Sequence, residues 1–281
     1  MVVFNSHGKL KSVLLCEPTY YEICAFSDVA RQHIAEGFKV SREAAVDQHH
    51  EFVKVFEEIG AKIEWQEAQP GHPDQVATRD FGVNTVKGIL IGSFRYSDNE
   101  GDEELAIEAL QKINAPIVGR VSQGAFEGGD CWYLDEQTLA VGIGNRSTLD
   151  GVRDAEKILN PIGIKVVSVH FDAKWNHLDM IMSVVAPKTV MICPEAIPEE
   201  FRGFLKREKY ECIEIPAEAV FAGAVNVLAL GDGKVLSFKE NTVGNQKLRA
   251  LGLKVYDPPL SQFVMSGTGP HCLSFELERE K

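Results

Sequence analysis

The feature that most limits how this chain can fold is a recurring pair of short β-rich runs, each pair broken by a tight turn. The pairs span Val83 to Phe94, Cys131 to Ile143, Ile181 to Cys193 and Val225 to Phe238. Turn residues such as Gly231-Asp232-Gly233 and Ala186-Pro187-Lys188 separate the two runs of a pair. Successive pairs start about 44 to 50 residues apart, the signature of a repeat architecture.

A helix-like segment follows each pair: Glu103 to Ile113, Leu149 to Leu159, Glu199 to Glu208 and Thr242 to Leu251. Each leads to another short strand, near Ile117, Ile164, Cys212 and Leu253. A fifth unit is split. Ser12 to Cys16, the helix Arg42 to Ile59 and the strand Lys62 to Trp65 lack one hairpin partner, which Leu273 to Leu277 supplies from the far end. Joining first and last strands closes a ring and removes exposed sheet edges. The expected fold is therefore α/β: a five-bladed α/β propeller of ββαβ units with pseudo-fivefold symmetry. It forms a single domain over residues 1–281. A doubly wound parallel sheet fits less well, because tight hairpins imply antiparallel pairing.

The net charge of -12 disfavours nucleic acid and anionic membranes as partners and suits a cationic small molecule. No basic leader or run of about 20 apolar residues is present. The six cysteines are scattered without a Cys-x-x-Cys pair. These features point to a cytoplasmic protein with reduced thiols, no metal and no cofactor, and they leave a homo-oligomer open.

Chemistry concentrates in four segments. Ser266-Gly267-Thr268-Gly269-Pro270-His271-Cys272 delivers one thiol on a glycine-rich turn to the start of an apolar strand. His271 is a poor base for Cys272 if that strand already runs through it, since successive side chains alternate. His177 and Asp179 stand two apart before an apolar run; on a strand they share a face. Phe126-Glu127-Gly128-Gly129-Asp130 offers carboxylates on paired glycines, and Asp74 and Asp80 form a further acidic pair. Each has an ordinary alternative: packing, a core histidine, a solvated turn. Together, one thiol, one imidazole and several carboxylates describe a site for a planar cation. A metal site of His177, Asp179, His271 and Cys272 lacks supporting ligand spacing.

Thr78-Arg79-Asp80, Glu127-Gly128-Gly129-Asp130, His177-Leu178-Asp179 and Gly269-Pro270-His271-Cys272, in that order, resemble the guanidine-modifying superfamily. It comprises arginine deiminases, dimethylarginine dimethylaminohydrolases and amidinotransferases, built on a five-bladed α/β propeller. The resemblance implies that Cys272 attacks a guanidinium carbon, with Asp80 and Asp179 holding its nitrogens. It implies that Glu127 pairs with the guanidinium and with His177. His177 would protonate the leaving amine and then activate water. Arg146 matches an arginine that grips the substrate α-carboxylate. A second basic patch is expected after Ile89 to Phe94, but Arg95 is followed by Tyr96-Ser97-Asp98-Asn99-Glu100, where relatives show more arginines. The expected reaction is hydrolysis of arginine or a methylated arginine to citrulline plus ammonia or a methylamine. The alternatives are transfer of the amidino group to an acceptor amine, loss of both nitrogens to give ornithine, and a non-catalytic propeller.

Overall fold

The computed structural model describes residues 1–96 and 101–280, so Ser97 to Glu100 of the expected basic segment lie outside the described residues. The described chain forms five three-stranded sheets. In the first, β1 (Leu10–Cys16) pairs in parallel with β2 (Lys62–Gln66). Helices α1 (Asp28–Ala35) and α2 (Arg42–Glu58) connect them. The second has β3 (Gly82–Thr85), β4 (Gly88–Ile91), α3 (Asp102–Lys112) and β5 (Ile117–Arg120). The third has β6 (Cys131–Tyr133), β7 (Thr138–Ile143), α4 (Leu149–Leu159) and β8 (Lys165–His170). The fourth has β9 (Met182–Ala186), β10 (Thr189–Ile192), α5 (Glu199–Arg207) and β11 (Glu211–Glu214). A short turn of helix, α6 (Ala217–Val220), precedes the fifth: β12 (Leu228–Gly231), β13 (Lys234–Leu236), α7 (Thr242–Ala250) and β14 (Lys254–Tyr256). After α8 (Ser261–Val264), β15 (Phe275–Arg279) returns and pairs antiparallel with β1.

Every sheet therefore couples one antiparallel hairpin contact to one parallel crossover, as the repeat predicts. Burial grades across each blade. The strands β3, β6 and β12 are buried throughout, whereas β5, β11 and β14 alternate or lie half-exposed. The first-named strands thus face the shared centre, and the third strands meet solvent under amphipathic helices. Side-chain caps start several of these helices: Ser27 on Ala30 N–H, Thr148 on Gly151 N–H and Asn241 on Gly244 N–H. Each such cap is worth about 1 kcal/mol.

Two local expectations change. Helix α1 is absent from the sequence reading, although Ser27 and Asp28 are its N-terminal signal. The strands nearest the chemistry also start late. Residues 271–273 belong to a turn and β15 begins at Phe275, while His177 precedes a 3₁₀ turn, Leu178–Met180, rather than a strand. No helix among the described residues is long and apolar enough to cross a membrane.

Candidate active site

The loops at one end of the inner strands enclose a cavity lined by Asp74, Asp80, Arg146, Asn176, His177 and Cys272, among others. Its empty space, counted out to the open mouth, is about 380 Å³. Asp179 and Glu127 are fully buried and touch residues of that lining, Asp179 the thiol of Cys272 and Glu127 the side chains of His177 and Arg146. The structure thus brings together most of the residues singled out in the sequence, by routes that differ from strand alternation.

Cys272 sits on the continued turn, so His271 and Cys272 do not point apart. Both reach Oδ2 of Asp179: His271 Nδ1 at 2.8 Å and Cys272 Sγ at 3.3 Å. His271 stacks on Trp132 with ring centroids 4.1 Å apart. Burial, with the charges of Arg79 and Arg279, keeps this imidazole neutral, well below its ordinary pKa. Once Asp179 is ionised it can only accept, so Nδ1 of His271 carries the proton. His271 orients the carboxylate beside the thiol.

His177 is held differently. Asn176 has φ 64° and ψ -82°, a strained backbone that only a rigid surrounding maintains. The backbone N–H of Leu178, just after the histidine, donates to Asp130 Oδ1 at 2.8 Å, and Ser147 N–H donates to Asp130 Oδ2 at 3.1 Å. Asp130 therefore fastens the histidine turn to the loop after β7. On the other side Gly129 lets the backbone press against the imidazole. A Cβ there would lie 2.9 Å from His177 Cγ and Nδ1 and 2.8 Å from Asp80 Oδ1.

Glu127 is the hub of the charged network. It accepts from His177 Nε2 at 3.0 Å, from Arg146 Nε at 2.8 Å and from Arg95 N–H at 3.1 Å. Burial opposes its ionisation, but Arg146 and His177 outweigh burial and hold the carboxyl down at about 2. For His177, burial alone would strip the proton; Asp80, Glu127 and Asp130 overcome it and raise the imidazole to about 10. The site thus holds a preformed imidazolium. Burial pushes Asp179 up to about 7 and Asp80 above its ordinary range. Burial first, then the carboxylates of Asp179 and Asp80, hold the Cys272 thiol well above its ordinary value. The protein's own groups therefore keep the thiol protonated.

Arg146 lines the cavity while its Nε is engaged by Glu127 and its guanidinium stacks near Phe26, 4.9 Å away, and Tyr96, 5.3 Å away. Arg95 is exposed and donates to the backbone carbonyls of Gly144 and Asn145. Among the described residues, Asp80, Glu127 and His177 place one donor atom each within 4.8 Å of one another, a spacing that suits a metal. This trio differs from the four residues weighed in the sequence. Arg146 and the imidazolium already neutralise it, which disfavours a divalent ion there.

Two buried carboxylate oxygens, Asp80 Oδ1 and Asp179 Oδ1, have no hydrogen-bond partner within the protein. Buried acceptors are ordinarily satisfied, so these two oxygens keep unused capacity to accept N–H donors. Sequence reasoning missed Asn226, whose Nδ2 lies 3.0 Å from Cys272 Sγ. It stands inside Val225-Asn226-Val227-Leu228, which reads as an ordinary strand start.

A family model described as N,N dimethylarginine dimethylhydrolase, eukaryotic, matches residues 18–279. The chain is 26% identical over 275 residues to the uncharacterized protein YkgA of Bacillus subtilis, covering 98% of this chain and 94% of that protein. It is 24% identical to the bifunctional arginine dihydrolase/ornithine cyclodeaminase AgrE of Nostoc sp., where 94% of this chain spans 37% of the relative. The product-bound N-terminal domain of ArgZ, an arginine dihydrolase from cyanobacteria, superposes with a TM-score of 0.84 at 21% identity, covering 96% of this chain and 98% of that one. At that identity the likeness concerns the fold.

Proposed function

The chain belongs to the dimethylarginine dimethylhydrolase family, and on that premise we propose that it hydrolyses a guanidino C–N bond of arginine or an N-methylated arginine through a covalent thiouronium on Cys272. The observation that carries this reading is a cavity lined by Asp80, His177 and Cys272, with Asp179 against the thiol, in which the buried oxygens Asp80 Oδ1 and Asp179 Oδ1 accept no hydrogen bond from the protein.

A guanidinium is planar, cationic and rich in N–H donors, so two carboxylates orient it and satisfy its hydrogens. Its charge also favours the thiolate, offsetting the carboxylates that hold the thiol protonated in the empty site. The thiol proton has an acceptor in Asp179 Oδ2, 3.3 Å away. Sγ then bonds to the guanidinium carbon, and the C–N bond to the leaving amine breaks as His177 delivers its proton to that nitrogen. At about 10, His177 is matched to an amine, whose range is near ~10.4 for a lysine ammonium. The neutral imidazole next takes a proton from water. The new C–O bond forms and the S–C bond breaks, Sγ regains its proton from Asp179, the hydroxyl proton of the adduct passes through solvent to the released amine, and the ureido product leaves. Glu127 keeps His177 oriented, and Arg146 keeps Glu127 ionised. Arg146 and Asp74, both lining the cavity, would meet the amino-acid end of the substrate, whereas Arg95 would have to leave the Gly144 and Asn145 carbonyls to reach it.

The AgrE and ArgZ likenesses favour one variant of this reading, a second hydrolysis that converts the ureido product to ornithine, carbon dioxide and a further ammonia. Incubating the purified protein separately with arginine, methylarginines and agmatine, and measuring released amine, citrulline and ornithine by mass spectrometry, tests both. One amine per citrulline fits single hydrolysis, and two ammonia per ornithine fits the double reaction. Absence of all three products with every substrate overturns the proposal.

A further inference from the structure

We propose that Asn226 stabilises the thiolate of Cys272 and fixes the sulfur's position through a single side-chain amide. This rests on Cys272 being the nucleophile. Asn226 is fully buried and lies at the entry to β12, on a different blade from the nucleophile turn. Its Oδ1 accepts the backbone N–H of His271 at 3.0 Å. A backbone N–H can only donate, so this bond decides which way round the amide sits. The NH₂ group is thereby turned toward sulfur, and Nδ2 stands 3.0 Å from Cys272 Sγ and 3.7 Å from Met180 Sδ.

A neutral thiol is a weak acceptor, whereas a thiolate is an anion that takes a charge-assisted hydrogen bond. The Asn226 contact therefore strengthens as the proton leaves. Asp179 does the opposite from the other side, accepting from the S–H and repelling the anion. The thiol sits between a donor that favours its ionised form and an acceptor that favours its protonated form. Gly269 completes the clamp. A Cβ on it would lie 2.5 Å from Asn226 Oδ1 and 2.8 Å from Asn226 Cβ and Cγ, so the turn lies directly against the amide. One residue thus sets both the distance and the ionisation of the sulfur.

The test measures alkylation of Cys272 by iodoacetamide from pH 6 to 11, read at the Cys272 peptide by mass spectrometry because Cys24 is partly exposed. Wild type, N226A and N226L are compared. Alanine leaves space and leucine fills it, so a change common to both belongs to the lost amide and not to packing. The expected result is a midpoint raised by about one pH unit in both variants, read as alkylation about tenfold slower than wild type at each pH below the wild-type midpoint. In steady state kcat should fall about 10- to 100-fold with KM within about threefold, as expected for removal of a hydrogen bond to a charged group. In wild-type protein the Asn226 side-chain amide protons should shift by NMR with the same midpoint as alkylation, which needs no variant to fold. An unmoved midpoint in a folded variant, or amide protons indifferent to thiol ionisation, overturns the assignment. The alkylation arm needs no turnover. An altered midpoint in an enzyme whose activity survives C272S would therefore sink the nucleophile and leave the Asn226 contact standing.

Discussion

Cys272 Sγ and Asp179 Oδ2 lie 3.3 Å apart and both residues are buried, so the ionisation of each depends on the other. The carboxylate suppresses the thiolate. On the proposed reading a guanidinium would relieve both, and the nucleophile would stay quiet until that cation arrives.

Cys272→Ser and Cys272→Ala should therefore lower turnover by at least ~10⁴-fold without loss of fold, because the remaining groups bind but cannot form the covalent bond. Denatured wild type quenched during turnover should carry substrate-derived mass on the Cys272 peptide. A variant that turns over within tenfold of wild type removes the nucleophile assignment.

Asp179→Asn separates two roles by sign. Losing the carboxylate removes the repulsion that holds the thiol protonated, so Cys272 should alkylate faster at pH 7. Guanidinium binding should weaken, with KM rising about 10- to 100-fold as a charge-assisted bond is lost. Faster alkylation with unchanged KM would leave Asp179 as a brake on the thiol and exclude it from substrate binding.

The pH profile follows from the same groups. Asp179 titrates at about 7, and protonation removes the negative charge that pairs with substrate. Accordingly kcat/KM should fall as pH drops through that region, and this limb should vanish in Asp179→Asn. At the alkaline end His177, raised to about 10, loses its proton, so the general acid disappears as pH rises past that value. Glu127→Gln removes one of the anions that raise His177 and should move the alkaline limb downward. Because it also removes a charged partner of the buried Arg146, that variant should unfold at lower urea concentration than wild type. An alkaline limb that stays in place in a folded Glu127→Gln protein would rule out this origin for the histidine's proton.

The blade repeat was legible because each unit carries its own local signals: paired β runs, a polar turn, a capped helix. The site was legible as a set of residue types, but its mounts were not. Spacing places His177 and Asp179 on one face of a strand. The chain instead turns there, because Leu178 N–H is captured by Asp130, 48 residues earlier in sequence. No local pattern encodes a bond of that reach. Asn226 was hidden for a related reason: a lone polar residue among valines and leucines looks like strand alternation until the nucleophile turn packs on it. Leu273 extended the apparent last strand toward Cys272, whereas Gly269 and Ser274 keep that stretch turned through Leu273 N–H···O=C Gly269 at 3.1 Å and Ser274 Oγ–H···O=C Pro270 at 2.8 Å.

Gly129→Ala tests how tightly the histidine must be held. Gly129 has a negative φ, so alanine brings no backbone strain, and the whole effect comes from the added methyl group. That methyl would meet the His177 ring at 2.9 Å and Asp80 Oδ1 at 2.8 Å, distances at which something must move. The imidazole has little room to retreat, since its far nitrogen is bonded to Glu127 at 3.0 Å and Glu127 is fixed by Arg146. Displacing the general acid by part of an ångström should cost about 10- to 100-fold in kcat, because proton transfer depends steeply on alignment. The Cys272 turn is mounted separately, so alkylation of the thiol should proceed within about twofold of the wild-type rate. Normal kcat in the folded variant would mean that the imidazole is not the proton donor, whereas loss of both kcat and alkylation would mean that the methyl group disturbs the whole cavity.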